Sequence, residues 1–255
     1  SIAAYNSPYF EYVITIFMLL FSINFNMFYL LLVRDFKAVF KNEELRYYLV
    51  IVGISTAVIT ANIVYLYPTL ESAFRHAVFQ VATITSTTGF ITANYEEWPE
   101  LSKTILVVLT MLGACGGSTG GGIKVSRFII LLKLTLREIR HIVHPRSVNI
   151  IKLEGQRVSD ETIQGTTGYF ITYVMLLFGS FILVSIDNYD FTTSITAVIT
   201  TLWNVGPGLS LVGPVENFSL FSDFSKIVLS LDMLFGRLEI FPMIMLFSPS
   251  IWRKA

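Results

Sequence analysis

Apolar residues along this chain come in blocks long enough to cross a bilayer, separated by short polar segments. A transmembrane helix needs about 20 mainly apolar residues. Five stretches qualify: residues 12–33, 47–67, 104 to about 136, 168–186 and 227–251. The third holds six glycines in ten residues, at positions 113–122. Each glycine costs about 1 kcal/mol of helix stability relative to alanine, so the pattern predicts two half-helices joined by a mobile intramembrane segment. Two further segments, 73–85 and 192–203, are apolar or Thr-rich but too short to span. Each runs into a glycine turn, Thr87-Thr88-Gly89-Phe90 and Asn204-Val205-Gly206-Pro207-Gly208. They read either as re-entrant helices or as outer amphipathic helices capped by a turn. Irregular backbone at membrane depth requires protein or a water-filled path to satisfy it.

Composition agrees with the bilayer. Of 255 residues, 53% are hydrophobic and only 14% charged, against about 25% charged in soluble domains. Mean hydropathy is +0.65. Soluble enzyme, disordered chain and nucleic-acid binder are disfavoured. The 18 basic and 18 acidic residues cancel, so no global field selects a partner. Fourteen of the basic residues fall in segments 34–46 and 124–157 and at Arg253 and Lys254. The positive-inside rule therefore expects the N-terminus outside and the C-terminus in the cytoplasm. A single cysteine, Cys115, excludes an intrachain disulfide. Beginning at Ser1 without a signal peptide, the chain reads as a processed product or part of a longer polypeptide.

The segments repeat. Ser102-Lys103 lies 123 positions before Ser225-Lys226, Gly113 lies 123 before Gly236, and Gly89 lies 117 before Gly206. Aligned on the glycines, Thr83 faces Thr200. Several matches in one order indicate internal duplication of a unit that reads spanning helix, short helix, glycine turn, polar stretch, spanning helix. Such units around an axis are the architecture of a cation pore, in which backbone carbonyls replace the hydration shell of an ion. Glycine permits the φ/ψ values that aim carbonyls into a narrow path. Thr87 and Thr88 could supply carbonyls and one hydroxyl, with Asn204 and Val205 in the equivalent places. Neither turn holds a carboxylate, which favours a monovalent cation over a divalent one.

Two other features carry chemistry. Arg237 lies inside the last apolar block, where a charge costs about 2.5–3.5 kcal/mol on insertion scales unless it faces a cavity or partner. It reads as a residue beside the pore that hydrogen-bonds carbonyls of the glycine segment, or as one that snorkels or pairs with Asp232 or Glu239. The run from Gly117 to Gly122 superficially resembles a phosphate cradle, but Lys124 is flanked by Ile123 and Val125 and no strand leads in. Close helix packing is the plainer alternative for those glycines. The basic segment with Lys133, Arg137, Arg140, His141, His144 and Arg146 fixes topology, touches anionic lipid or receives a partner. His76, His141 and His144 lack metal-ligand company, and no catalytic set is visible.

Four stretches carry a family resemblance: Thr85-Ser86-Thr87-Thr88-Gly89-Phe90; Gly113-Ala114-Cys115-Gly116-Gly117-Ser118-Thr119-Gly120-Gly121-Gly122-Ile123-Lys124; Asn204-Val205-Gly206-Pro207-Gly208; and Gly236-Arg237-Leu238-Glu239-Ile240-Phe241-Pro242. In this order they resemble the TrkH/KtrB potassium-uptake family, of the superfamily that includes the plant HKT proteins. The resemblance implies an all-α membrane protein of tandem helix–pore loop–helix repeats, of which this chain holds the last two. Residues 1–46 would be the closing helix of a preceding repeat with a cytoplasmic linker, 47–146 the third repeat and 147–255 the fourth. It further implies a K+ filter at Thr87, Thr88, Gly89, Asn204, Val205 and Gly206. The gate would comprise Gly113, Cys115, Gly116, Gly117, Ser118, Thr119, Gly120, Gly121, Gly122 and Arg237. The expected setting is the inner cell membrane, as a homodimer bearing a cytoplasmic nucleotide-binding regulatory subunit of the TrkA/KtrA type. A sodium-permeable or mixed cation pore, and a non-conducting scaffold for such subunits, are the competing expectations.

Overall fold

The boundaries of the helices follow from their caps. In the computed structural model, residues 1–145, 150–238 and 240–246 are described. Asn42 opens α4 (Glu43–Ile63) by accepting from the Leu45 amide, and Thr69 opens α5 (Leu70–Thr85) through the Ser72 amide. Ser159 opens α8 (Asp160–Val184) and Asp190 opens α9 (Phe191–Leu202) in the same way. Each cap satisfies an amide that the first helical turn cannot. Before them come α1 (Pro8–Phe21), α2 (Phe25–Leu32) and α3 (Phe36–Lys41). Between them lie α6 (Glu100–Leu112) and α7 (Val125–Val143), and α10 (Asp223–Leu238) and α11 (Ile240–Leu246) close the described chain. Among the described residues one hairpin, β1 (Lys152–Leu153) with β2 (Gln156–Arg157), interrupts an otherwise helical fold. Positive φ at Glu154 and Gly155 gives it the tight primed turn such hairpins favour.

Two units with the same plan emerge. In each, a long helix (α4 or α8) ends in a single 3-10 turn, a shorter helix (α5 or α9) packs back against it, a loop follows, and a further helix (α6 or α10) closes the unit. Both long helices, with their 3-10 turns, are long and apolar enough to cross a membrane. Their outer faces are apolar and exposed, with Met175 at 70% and Ile54 at 60%. Their inner faces bury Thr56, Thr60, Thr166 and Ser180. Thr60 and Thr166 return their hydroxyls to the carbonyls of Thr56 and Thr162. Apolar side chains outside and buried hydroxyls inside, two of them satisfied by their own helix, are the inverse of a water-soluble bundle, as lipid requires.

The third apolar block is broken as expected: α6 stops at Leu112 and α7 starts at Val125. The first block differs from expectation. Residues 12–33 form no single straight helix: α1 and α2, long and apolar enough together to cross a membrane, meet at 92°. The break falls at Ser22-Ile23-Asn24, where Asn24 caps α2 by accepting from the Asn26 amide. The carbonyls thus released at the end of α1 are used elsewhere: Ser22 accepts from Cys115 N at 3.0 Å and Phe21 from Thr119 N at 3.4 Å. In the last block, α10 gives way to α11 near Leu238. The remainder of the expected 227–251 span, with Arg253 and Lys254, lies outside the described residues, as do Arg146 and Glu239.

Candidate functional site

The short helices α5 and α9 end the same way. After α5, the amides of Thr88 and Gly89 both point back to the carbonyl of Thr83, at 2.9 and 3.4 Å. After α9, the amides of Val205 and Gly206 point back to the carbonyl of Thr200, also at 2.9 and 3.4 Å. Thr87 and Asn204 both take left-handed φ, 55° and 59°, and Gly89 and Gly206 follow at +76° and +107°. The backbone thus reverses direction twice at a fixed offset of 117 residues. Thr83 and Thr200 occupy matching positions, as the glycine alignment expects. The second offset holds too. Lys103 pairs with Glu100 and Lys226 pairs with Asp223, both at a spacing of three residues and 123 positions apart.

The two turns meet. A Cβ added to Gly89 would overlap the Val205 carbonyl oxygen and reach Pro207 at 3.4 Å. On one side they are tied by Tyr95, whose hydroxyl donates to the Gly208 carbonyl at 3.1 Å, and by Glu96, which accepts from Ser210 N at 3.0 Å. Burial pushes the Tyr95 phenol above its ordinary pKa, which keeps it a donor. Beside the second turn lies a cavity of about 370 Å³ whose lining includes Thr200, Asn204, Val205 and Gly206. The Glu96 carboxylate serves the Ser210 amide and Lys103 rather than the turns themselves.

The glycine segment lies directly against the first turn. Gly121 N donates to the Thr87 hydroxyl at 2.9 Å, and Thr88 shares a 2.7 Å hydrogen bond with Ser86. Both threonine hydroxyls are therefore engaged within the protein. Trp203 connects the two units: its indole N–H donates to the Met111 carbonyl at 2.8 Å. Its ring edge stands where a Cβ on Gly122 would come to 2.6 Å. Gly120 lies as close to Ala114, with 2.6 Å between that methyl and an added Cβ. Compact backbone approaches of this kind need glycine. Within the segment Ser118 donates to the Cys115 carbonyl at 2.6 Å, and Lys124 Nζ donates to the Gly120 carbonyl. On its outer flank, Gly117 accepts from Phe25 N at 3.2 Å.

Arg237 shares a cavity of about 270 Å³ with Ser118, Thr119, Gly120, Gly121, Gly122 and Lys124. It is exposed there. Among the described residues the expected hydrogen bonds from Arg237 to the segment's carbonyls are not formed; the bond to Gly120 comes from Lys124 instead. Nor does Asp232 pair with Arg237. Its carboxylate accepts from Ser180 at 2.6 Å, on the opposite side of α10. One residue earlier than Arg237, Gly236 lets α10 pack onto the end of α9: an added Cβ would overlap the Leu202 carbonyl. That carbonyl also accepts from the Tyr173 hydroxyl at 2.6 Å.

Several contributors are absent from the sequence reading. Glu44 is buried and accepts from the amides of Gly116 and Ser126. Trp203, Tyr95 and Tyr173 join the turns to their surroundings. The available signal is position: Trp203 immediately precedes the Asn204 turn, and Glu44 lies three residues before the apolar block that starts at residue 47.

The chain is similar to known proteins along its whole length. The family model for TrkH, described as a cation transport protein, matches residues 1–254. The Trk system potassium uptake protein TrkH of Salmonella typhimurium is 33% identical over 258 residues, covering 100% of this chain and 53% of that protein. The TrkH of Vibrio parahaemolyticus is 36% identical over 188 residues, covering 74% of this chain and 38% of that protein. The crystal structure of the potassium transporter TrkH from Vibrio parahaemolyticus superposes with a TM-score of 0.90 at 31% identity, covering 99% of this chain and 55% of that one. The chain spans about half the length of the curated relatives it matches. A family model over residues 1–254, with a relative 33% identical across the whole chain, places the chain in the TrkH family of cation transport proteins.

Proposed function

We propose that this chain is half of a potassium-uptake pore in the inner cell membrane, with its C-terminus cytoplasmic. K+ is the cargo, and the carbonyls of Thr87, Thr88 and Gly89, with those of Asn204, Val205 and Gly206, line two of four quadrants of the filter. Residues 47–146 and 147–255 are the third and fourth repeats, and 1–46 closes the second. The observation that carries this reading is the matched backbone reversal after α5 and α9, built on Thr83 and Thr200 with the same two hydrogen-bond lengths. The names of the relatives, Trk system potassium uptake proteins, support the choice of ion.

The helix ends fit the same chemistry. The C-termini of α5 and α9 carry partial negative charge toward the turns, which favours a cation there. Below the first turn, residues 113–122 form a gate: the segment touches Thr87 and shares its cavity with Arg237, whose charge adds a barrier to cations. Cys115 and Gly117 are held by backbone bonds to Ser22 and Phe25, and the Gly116 amide by the Glu44 carboxylate. A homodimer with a nucleotide-binding subunit of the TrkA/KtrA type on the basic cytoplasmic face completes the proposal.

Ion flux in proteoliposomes holding the full-length protein tests it, with K+, Rb+, Na+ and Li+ compared. Flux favouring K+ and Rb+ is expected. Equal Na+ flux would make the pore a less selective one, and absence of flux with a regulatory subunit added would leave a scaffold.

A further inference from the structure

Glu44 is 4% exposed and stands on the first turn of α4. Its Oε1 accepts from Gly116 N at 2.7 Å and from Ser126 N at 2.9 Å. These amides bracket residues 117–125, and with them most of the glycine segment. Gly116 follows the end of α6, and Ser126 lies in the first turn of α7, where helical amides have no partner within the helix. One carboxylate therefore draws the two sides of that stretch together, and its charge suits a helix N-terminus. The approach is close: a Cβ on Gly116 would come within 2.9 Å of Ser126 Oγ and 3.5 Å of Glu44 Oε1.

The two residues before Glu44 hold something else. Glu43 accepts from Lys133 Nζ at 2.5 Å and from Glu154 N at 3.4 Å. Lys133 also donates to the Lys152 carbonyl at 2.7 Å, and Asn42 Nδ2 donates to Glu154 Oε1. Lys152 and Glu154 are in the β1–β2 hairpin. Three consecutive residues thus grip the glycine segment on one side and the hairpin, with α7, on the other. Because α4 begins at this point, a shift of the hairpin moves the backbone that carries Glu44.

We propose that Glu44 clamps the glycine segment closed, and that residues 42–44 link this clamp to the hairpin, so that displacing the hairpin loosens the segment. The proposal rests on reading residues 113–122 as the gate. Nothing in the bonding of Glu44 requires that reading, so clamp and gate can be tested apart.

Cys115, 1% exposed and adjacent to Gly116, is a built-in reporter. The experiment uses the full-length protein in proteoliposomes, with every other cysteine replaced and a Cys115→Ser control. It measures the rate of Cys115 modification by a membrane-permeant maleimide alongside Rb+ flux. Removing a buried charged acceptor shifts a local opening equilibrium by about tenfold or more. Glu44→Leu is expected to label about that much faster and to conduct more in the basal state. Glu44→Gln, whose amide oxygen can still accept both N–H groups, is expected to stay within about twofold of wild type. If Glu44→Leu yields no folded protein, Glu44→Asp, one methylene shorter, serves the same comparison. Unchanged labelling in the clamp variant, or no rescue by Gln, overturns the clamp. Faster labelling with unchanged flux supports the clamp and removes the gate from the proposed function. For the link, Lys133→Met should also speed labelling; a rate equal to wild type overturns that part.

Discussion

The hydroxyl of Thr87 accepts the amide N–H of Gly121 at 2.9 Å. The first glycine turn and the glycine segment are therefore joined without an intermediary, and the state of one bears on the other. Thr87→Ser keeps the acceptor and should behave like wild type. Thr87→Val leaves the buried Gly121 amide without its partner, a loss of about 1–3 kcal/mol. The check is thermal unfolding in detergent, with a lowered Tm expected for Val alone, together with a rise in basal Rb+ flux.

Gly89 and Gly206 occupy matching positions but should tolerate a methyl group differently. At Gly89 both the positive φ and the Val205 carbonyl oppose it, whereas at Gly206 nothing among the described residues lies within 4 Å of an added Cβ. Gly206→Ala meets only backbone strain, of order 1–3 kcal/mol. Gly89→Ala must in addition separate the two turns. Expression and flux should fall further for Gly89→Ala than for Gly206→Ala; equal losses would contradict the packing of one turn on the other.

Arg237 faces the cavity under the glycine segment without bonding to it. Its contribution is then one of charge and not of hydrogen bonding. Arg237→Ala should raise basal ion flux, and Arg237→Lys should restore most of the block. Unchanged flux in the alanine variant would remove Arg237 from the gate.

Asp190 caps α9, accepting from the Thr193 hydroxyl at 2.5 Å and from the Thr193 amide at 3.0 Å. Those bonds hold its carboxyl below the usual pKa. A group depressed on folding adds stability above its unfolded pKa, about 3.9. That contribution disappears as pH falls through the lower folded value. Asp190→Ala should cost about 1 kcal/mol near neutrality. The Tm difference from wild type should shrink below about pH 4, measured by detergent-phase unfolding across the acid range.

Much of this arrangement is legible in the amino-acid sequence because glycines and the Ser-Lys pairs mark backbone demands that side chains cannot hide. Gly89 and Gly206 stand at the turns because φ there is positive, and residues 113–122 end a helix because glycine destabilises one. The break at Ser22-Ile23-Asn24 was not legible. Serine and asparagine occur in straight spans too, and what fixes the bend is the use of the Phe21 and Ser22 carbonyls by Thr119 and Cys115, almost a hundred residues away. Glu44 was hidden for a related reason: next to Glu43 and Arg46 it reads as a solvated flank, and only the fold reveals the amides it meets. The hydrogen bonds expected of Arg237 fell instead to Lys124, whose place beside Gly120 depends on its own positive φ.

The pairing of the two turns into an ion path is most directly tested by locating the ion. Crystals of the full-length protein grown in Rb+ or Tl+ would give anomalous peaks at bound cations. Peaks on the axis faced by the carbonyls of Thr87, Thr88 and Gly89 and of Asn204, Val205 and Gly206 are expected. A protein that conducts K+ yet shows its cation peaks elsewhere, with none near these six carbonyls, would contradict the assignment.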